Sequence, residues 1–152
     1  MSGRWSWTAE TEFPSKLGAH LPFLEEVLEQ LAGLGWDGRD YFGVQMTLEE
    51  TLTNAIRHGN LCDESKHVSA ECKASGDEFW LSVEDQGEGF DLGDVADCRD
   101  DENIEAFGGR GMLLIHSYME QVEFNQRGNR ITVQTRRGFR PPEPEDAGDA
   151  GQ

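Results

Sequence analysis

Basic side chains are scarce in this chain of 152 residues: 13 lysines and arginines stand against 30 acids, a formal charge of -17. A body that negative repels phosphate backbones and anionic lipid surfaces at long range, which argues against nucleic acid and membrane as partners. No stretch approaches the roughly 20 consecutive apolar residues that span a bilayer. The opening MSGRWSWTAETEF has no apolar region of the secretory-signal kind, so the expected location is the cytoplasm. Cysteine is sparse as well. Cys62, Cys72 and Cys98 make neither a CxxC pair nor an even set, so reduced thiols are expected and a metal site built from them is not. No GxxxxGK[ST] loop occurs, so no lysine waits to neutralise a triphosphate. The length suits one domain and is too short for two, and no internal repeat is visible.

What the sequence does contain is a clear alternation of periods. Trp5 to Phe13 alternates with period two, as a half-buried strand would. Leu17, Leu21, Leu24, Leu28 and Leu31 then recur at helical spacing up to Gly33 and Gly35, and Pro22 suits the first position of that helix. A second helix is expected from Gly38 or Arg39 to Arg57, with Asp37 as N-cap and Gly59 as its stop. Its apolar stripe is Tyr41, Val44, Leu48, Leu52 and Ala55; at 100° per residue Glu50 and Asn54 fall on the other side.

Strands are expected at His67 to Ala74 and Glu78 to Glu84, joined by the turn Ser75-Gly76-Asp77. From Gly87 to Gly111 the pattern gives way to six glycines and, between Asp94 and Glu105, six acids. A loop of that length inside a compact domain is functional or disordered. A third helix over Met112 to Met119 and a last hairpin, Gln121 to Asn125 and Arg130 to Arg137, complete the domain at about residue 140. The acidic tail over 141–152, PPEPEDAGDAGQ, lacks apolar mass and is expected to be disordered. The order β α α β β loop α β β implies an α+β domain: a two-layer α/β sandwich with three helices on one face of a mixed, mostly antiparallel sheet.

Three islands carry chemistry: Glu50-Thr51-Leu52-Thr53-Asn54-Ala55-Ile56-Arg57-His58-Gly59-Asn60, Glu84-Asp85-Gln86-Gly87-Glu88-Gly89-Phe90, and Gly108-Gly109-Arg110-Gly111-Met112-Leu113-Leu114-Ile115. Singly, each has an ordinary reading: a solvated helix face, a strand ending in a turn, a capped loop. Together they fall mid-helix, at a strand end and at a loop-to-helix junction. Glu50 and Asn54, four apart on a helix, can hold one object between them. Asp85, acceptor-only when ionised, suits a hydrogen-bond donor such as an exocyclic amine. Gly87 and Gly89 let the backbone pass close to a base and sugar. Gly109 and Gly111 free the amides at the start of helix 3 to face phosphate, where the helix dipole favours negative charge, and Arg110 is the one cation there.

In this order the islands resemble the N box and the two glycine boxes of the GHKL ATPase superfamily. The closest branch is that of the small anti-sigma factor serine/threonine-protein kinases of the RsbW and SpoIIAB type. The resemblance runs over about residues 5–137 and implies a Bergerat-type ATP-binding fold, with ATP and Mg²⁺ as cofactors. It assigns the side-chain oxygen of Asn54 to Mg²⁺, a hard, neutral ligand of the kind that ion accepts, and makes Glu50 the base that takes the proton of a protein serine. Arg57, His58, Phe90 and Met112 belong to the same boxes and are expected at the site, His58 as pocket wall or helix-end hydrogen bonding. His20, His67 and His116 have no partner carboxylate at a telling spacing, and the four tryptophans read as core or sheet-face residues.

The resemblance further implies an anti-anti-sigma (STAS) protein as substrate, a sigma factor or other regulator as sequestered partner, and a homodimer as the common state of such kinases. The competing function is a non-catalytic ATP-binding switch. Two departures stand out: Asn129 occupies the place after the hairpin glycine where many relatives carry a threonine that helps hold an adenine-bound water, and Phe107-Gly108 replaces an arginine that some kinases place there. Five arginines against two glutamates over 120–140 read as a docking strand for an acidic protein, so high salt should weaken partner binding more than ATP binding.

Overall fold

The computed structural model describes residues 4–87 and 111–141. In chain order these form β1 (Trp7–Pro14), α1 (Leu21–Gly33), α2 (Gly38–Asn54), a π-helical turn (Ala55–Gly59), β2 (His67–Ala74), β3 (Glu78–Glu84), α3 (Gly111–Tyr118), β4 (Gln121–Phe124) and β5 (Arg130–Arg136). The strands make one sheet in the order β1-β2-β3-β5-β4, with all four pairings antiparallel. The expected α+β sandwich is therefore present, and each element sits within a few residues of its expected place.

The differences have local causes. β1 runs from Trp7 to Pro14 because its partner strand ends opposite it, Trp7 against Ala74 and Pro14 against His67. Leu17 lies outside α1 and is exposed; the helix begins at Leu21 with Pro22 in its first turn, where a missing N–H leaves no helix hydrogen bond unmade. Asp37 is the N-cap of α2 in extended conformation, but its side chain makes no capping bond. α2 ends at Asn54 and not at Arg57, because the next five residues widen into the π-helical turn, with the Asn60 N–H donating to the Ala55 carbonyl at 2.9 Å.

Val44, Thr47, Leu48, Thr51, Leu52 and Ala55 form the buried stripe of α2, while the expected Tyr41 is only half-buried. Against them lie Phe23, Val27 and Leu31 of α1, Ile115 of α3 and alternate residues of the sheet: Val68, Ala70 and Cys72 of β2, Phe79, Leu81 and Val83 of β3, and Val133 of β5. Each large apolar side chain fully removed from water contributes about 1.5–3 kcal/mol, so the core sits between helices and sheet with α2 at its centre.

The other sheet face is open. Glu10 stands directly opposite Glu71, and Trp5 and Trp80 lie beneath Arg4 and Lys73, 4.9 and 4.8 Å from the ring centroids. Trp36 is core, its indole N–H donating to the Ser75 carbonyl at 2.8 Å. Cys72 is a buried free thiol, and burial raises its pKa. Among the described residues no helix is long and apolar enough to cross a membrane.

Candidate functional site

A pocket opens where α2, β3, α3 and the β4–β5 hairpin converge. α2 and the π-helical turn contribute Thr51, Asn54 and Ala55; β3 and the residue after it give Val83 and Asp85; α3 gives Met112 and Ile115; the hairpin gives Phe124, Gly128, Asn129, Arg130 and Ile131. Its middle is apolar and its polar groups are few, the character of a small-molecule site. The period-two pattern that puts Val83 in the core places Asp85 on the same side just past the strand end, which is why a carboxylate enters this cleft at all.

Asp85 is buried, at 8% exposure. Burial pushes its carboxyl up from 3.8 to about 6, aided by the Glu84 charge and opposed by the Gly87 N–H and by the charges of Arg127 and Lys66. The Gly87 N–H donates to Asp85 Oδ1 at 2.8 Å. Asn129 braces the residue from below: the Asp85 N–H donates to the Asn129 carbonyl, and Asn129 Nδ2 donates to the Asp85 carbonyl, each at 2.9 Å. Asn129 Oδ1 accepts from Asn125 Nδ2 at 2.8 Å. The Asn129 side chain thus serves the protein itself.

Two glycines are required by close approach. A methyl group at Gly59 would overlap the Asp85 carboxylate, and one at Gly87 would overlap the Gly59 carbonyl. Gly59 therefore does more than stop a helix: its bare Cα lets the π-helical turn press against the acid. The Gly87 carbonyl is also gripped, by Arg127 at 2.9 Å.

Glu50 and Asn54 share a face of α2 as their spacing requires, both half-buried, with Asn54 in the pocket wall. Burial raises the Glu50 pKa, while a hydrogen bond with Asn54 and the Arg57 charge lower it and Glu49 raises it. Among the described residues no group of three or more His, Cys, Asp or Glu side chains forms a metal site. A Mg²⁺ ion would fit here only as a shared ion: the Asn54 oxygen, with the Glu50 carboxylate beside it, would leave most of its ligand positions to a bound molecule and water.

Of the expected site residues, Asn54, Asp85 and Met112 line the pocket, and Gly87 and Glu50 border residues that do. His58 is buried in the π-helical turn and Arg57 half-buried beside it, and neither lines the pocket. Gly111 opens α3. Gly89, Phe90, Gly109 and Arg110, most of the expected loop, and residues 142–152 of the tail lie outside the described residues.

Sequence reasoning missed Arg127 and the pocket wall formed by Phe124 and Ile131. For Ile131 the signal was present, since it lies opposite Val83 across β3 and β5. It also missed that His20, buried before α1 with Nδ1 unbonded, feels the charges of Glu49 and Arg57; burial holds its pKa low. The five hairpin arginines are each engaged within the chain. Arg130, Arg136 and Arg140 face Glu84, Glu120 and Asp40 at 3.4, 2.7 and 3.2 Å, Arg137 donates to the Gly76 carbonyl at 3.0 Å, and Arg127 holds Gly87. Arg130, Arg136 and Arg140 nevertheless keep exposed side chains.

The chain is 31% identical over 94 residues to an anti-sigma F factor of Clostridium perfringens (strain SM101 / Type A), covering 59% of this chain and 65% of that one. It is 25% identical over 95 residues to the serine-protein kinase RsbW of Bacillus licheniformis, covering 59% of each. The match thus spans about three fifths of these curated relatives. Among solved structures, that of the RsbU and RsbW domains of Rv1364c from Mycobacterium tuberculosis is similar in fold, with a TM-score of 0.58 at 15% identity, covering 91% of this chain and 35% of that one. The model of the histidine kinase-like ATPase domain matches residues 13–135, a span that holds every pocket residue described above, and the chain belongs to that family.

Proposed function

We propose that the protein is an ATP-binding serine/threonine-protein kinase that phosphorylates an anti-anti-sigma (STAS-type) protein and sequesters a sigma factor, switching between the two partners. One observation carries the reading: Asn54 and Asp85 sit in the wall of one largely apolar pocket, with Glu50 one helical turn before Asn54. This order suits a purine at Asp85 and phosphates toward Asn54. Mg²⁺ held by Asn54 and the phosphates would screen triphosphate charge that this acidic chain has no P-loop lysine to meet. Glu50, kept from full solvation, is placed to accept a hydroxyl proton as the phosphoryl group transfers. The names of the relatives, anti-sigma F factor and serine-protein kinase, support the partners and the reaction class.

The test is labelled ATP with a small STAS protein. Transfer of label to a serine or threonine is expected, together with a rise in melting temperature on adding millimolar Mg-ATP. Nucleotide-dependent complex formation without transfer would make the protein a non-catalytic switch. No shift and no complex would refute the reading.

A further inference from the structure

We propose that Asn60 is a positioning residue of the nucleotide pocket, fixing the base-recognising segment Asp85–Gly87 against the helix that carries Glu50 and Asn54; the inference rests on the nucleotide-binding reading above. Asn60 is fully buried, at 0% exposure, and its amide is used on both sides. Nδ2 donates to Ser15 Oγ at 2.6 Å and to the His67 carbonyl at 2.9 Å, while Oδ1 accepts from the Gln86 N–H at 2.7 Å. The His67 N–H donates back to Gln86 Oε1 at 2.6 Å, closing a ring of bonds around the residue after Asp85. One side chain thus ties together the segment after β1, the start of β2 and the segment after β3.

Its backbone ties that ring to α2. The Asn60 N–H donates to the Ala55 carbonyl at 2.9 Å across the π-helical turn. Asn60 directly follows Gly59, whose Cα bears on the Asp85 carboxylate and whose carbonyl bears on Gly87. Leu61 and Cys62 then both take positive φ, 55° and 59°, a region that residues bearing a Cβ disfavour. Two such residues in succession persist only where surrounding bonds over-determine the turn, and the Asn60 amide supplies three of those bonds. A ligand whose one end is read by Asp85 and whose other end is held near Asn54 needs the interval between them fixed. Loss of Asn60 lets the base end shift relative to α2 while leaving the α2 groups in place.

The experiment is calorimetry of Mg-ATP and Mg-GTP, with Mg-tripolyphosphate measured by competition against ATP, on the full chain and on Asn60→Ala, Asn60→Asp and Ser15→Ala. The preference for ATP over GTP should fall about tenfold or more in Asn60→Ala. Asn60→Asp, which keeps the acceptor for Gln86 but sets a carboxylate oxygen against the His67 carbonyl, should shift the preference the same way by at least as much, and Ser15→Ala, which removes one acceptor, by less. Tripolyphosphate affinity should stay within about threefold throughout, because a ligand without a base does not read the interval.

A uniform loss for all three ligands, or an unchanged ATP-to-GTP ratio in the variants, overturns the assignment and leaves Asn60 a purely structural residue. Should Asn60→Ala fail to fold, the ratio in Ser15→Ala decides. A wild-type chain that binds none of the three ligands refutes the nucleotide-binding reading itself, an outcome distinct from either.

Discussion

Asp85 and Asn129 hold each other by two reciprocal hydrogen bonds, Asp85 N–H to the Asn129 carbonyl and Asn129 Nδ2 to the Asp85 carbonyl, both at 2.9 Å. The carboxylate that would choose the base is therefore anchored through its own backbone, and its side chain is left to face Gly59, the Gly87 N–H and the pocket. Asn129→Ala leaves a buried carbonyl without its side-chain donor, a loss of about 1–3 kcal/mol. Thermal unfolding should show it as a drop in melting temperature, accompanied by weaker ATP binding. Unchanged values for both would show that the backbone bond alone suffices.

The raised pKa of Asp85, about 6 against an ordinary 3.8, makes stability and affinity move in opposite directions with pH. Above pH 6 the folded chain carries a buried charge; as pH falls through 6 the folded state takes up a proton before the unfolded chain does, so this group stabilises the fold on acidification. The gain is complete below the ordinary value and amounts to about 3 kcal/mol at most. ATP affinity should fall over the same window, because a protonated carboxyl no longer offers the charged acceptor. Asp85→Asn should melt at or above the wild type at pH 7.5, bind ATP at least about tenfold more weakly, and lose both pH trends. The measurement is the difference between wild-type and variant melting curves at pH 5 and 7.5, with calorimetry at each.

Asn54→Ala removes a half-buried polar side chain from the pocket wall and should leave the melting temperature of the free protein nearly unchanged. Mg-ATP affinity should fall about tenfold or more, while the weaker affinity for ATP in excess chelator should be the same for both proteins. Equal Mg-ATP affinities would remove Asn54 from the metal.

Glu50→Gln keeps an acceptor for Asn54 but cannot take a proton. Phosphoryl transfer to the STAS protein should drop at least about 100-fold, with Mg-ATP affinity within about threefold. In the wild type the transfer rate should rise with pH through a midpoint above the usual carboxylate range, since burial raises the Glu50 pKa; Glu50→Gln should lose that limb. A variant that transfers label at the wild-type rate would refute the base role.

Gly59→Ala probes the contact between α2 and Asp85. The added methyl overlaps the carboxylate, so either the turn or the acid must move. Both a lower melting temperature and a loss of ATP affinity are expected, whereas Gly33→Ala, with open space around it, should leave ATP affinity unchanged and serves as the control.

Much of this was legible along the chain. Strands β2 and β3 fall where alternation places them, and Glu50 and Asn54 share a helix face because four residues make about one turn. Those are properties of neighbours in sequence, set by backbone period and burial of one face. The end of α2 was less legible, because no local pattern encodes the π-helical turn that follows Asn54 or the close approach of Gly59 to Asp85. The arginines of the last hairpin divide the same way: their count is visible in sequence, but Glu84, Asp40 and the Gly76 carbonyl reach them only through the folded sheet.

The sequence by itself determined the two layers, the order of the elements and which residues could do nucleotide chemistry, since period, turn chemistry and residue type are local. Only the tertiary structure decided that Gly59 yields its side-chain space to Asp85, that Asn129 braces the Asp85 backbone from the pocket wall, and that Asn60 ties three distant segments together. Burial is what turns these juxtapositions into requirements: away from water each polar group must find its partner within the chain, and each close approach admits only the residue that fits.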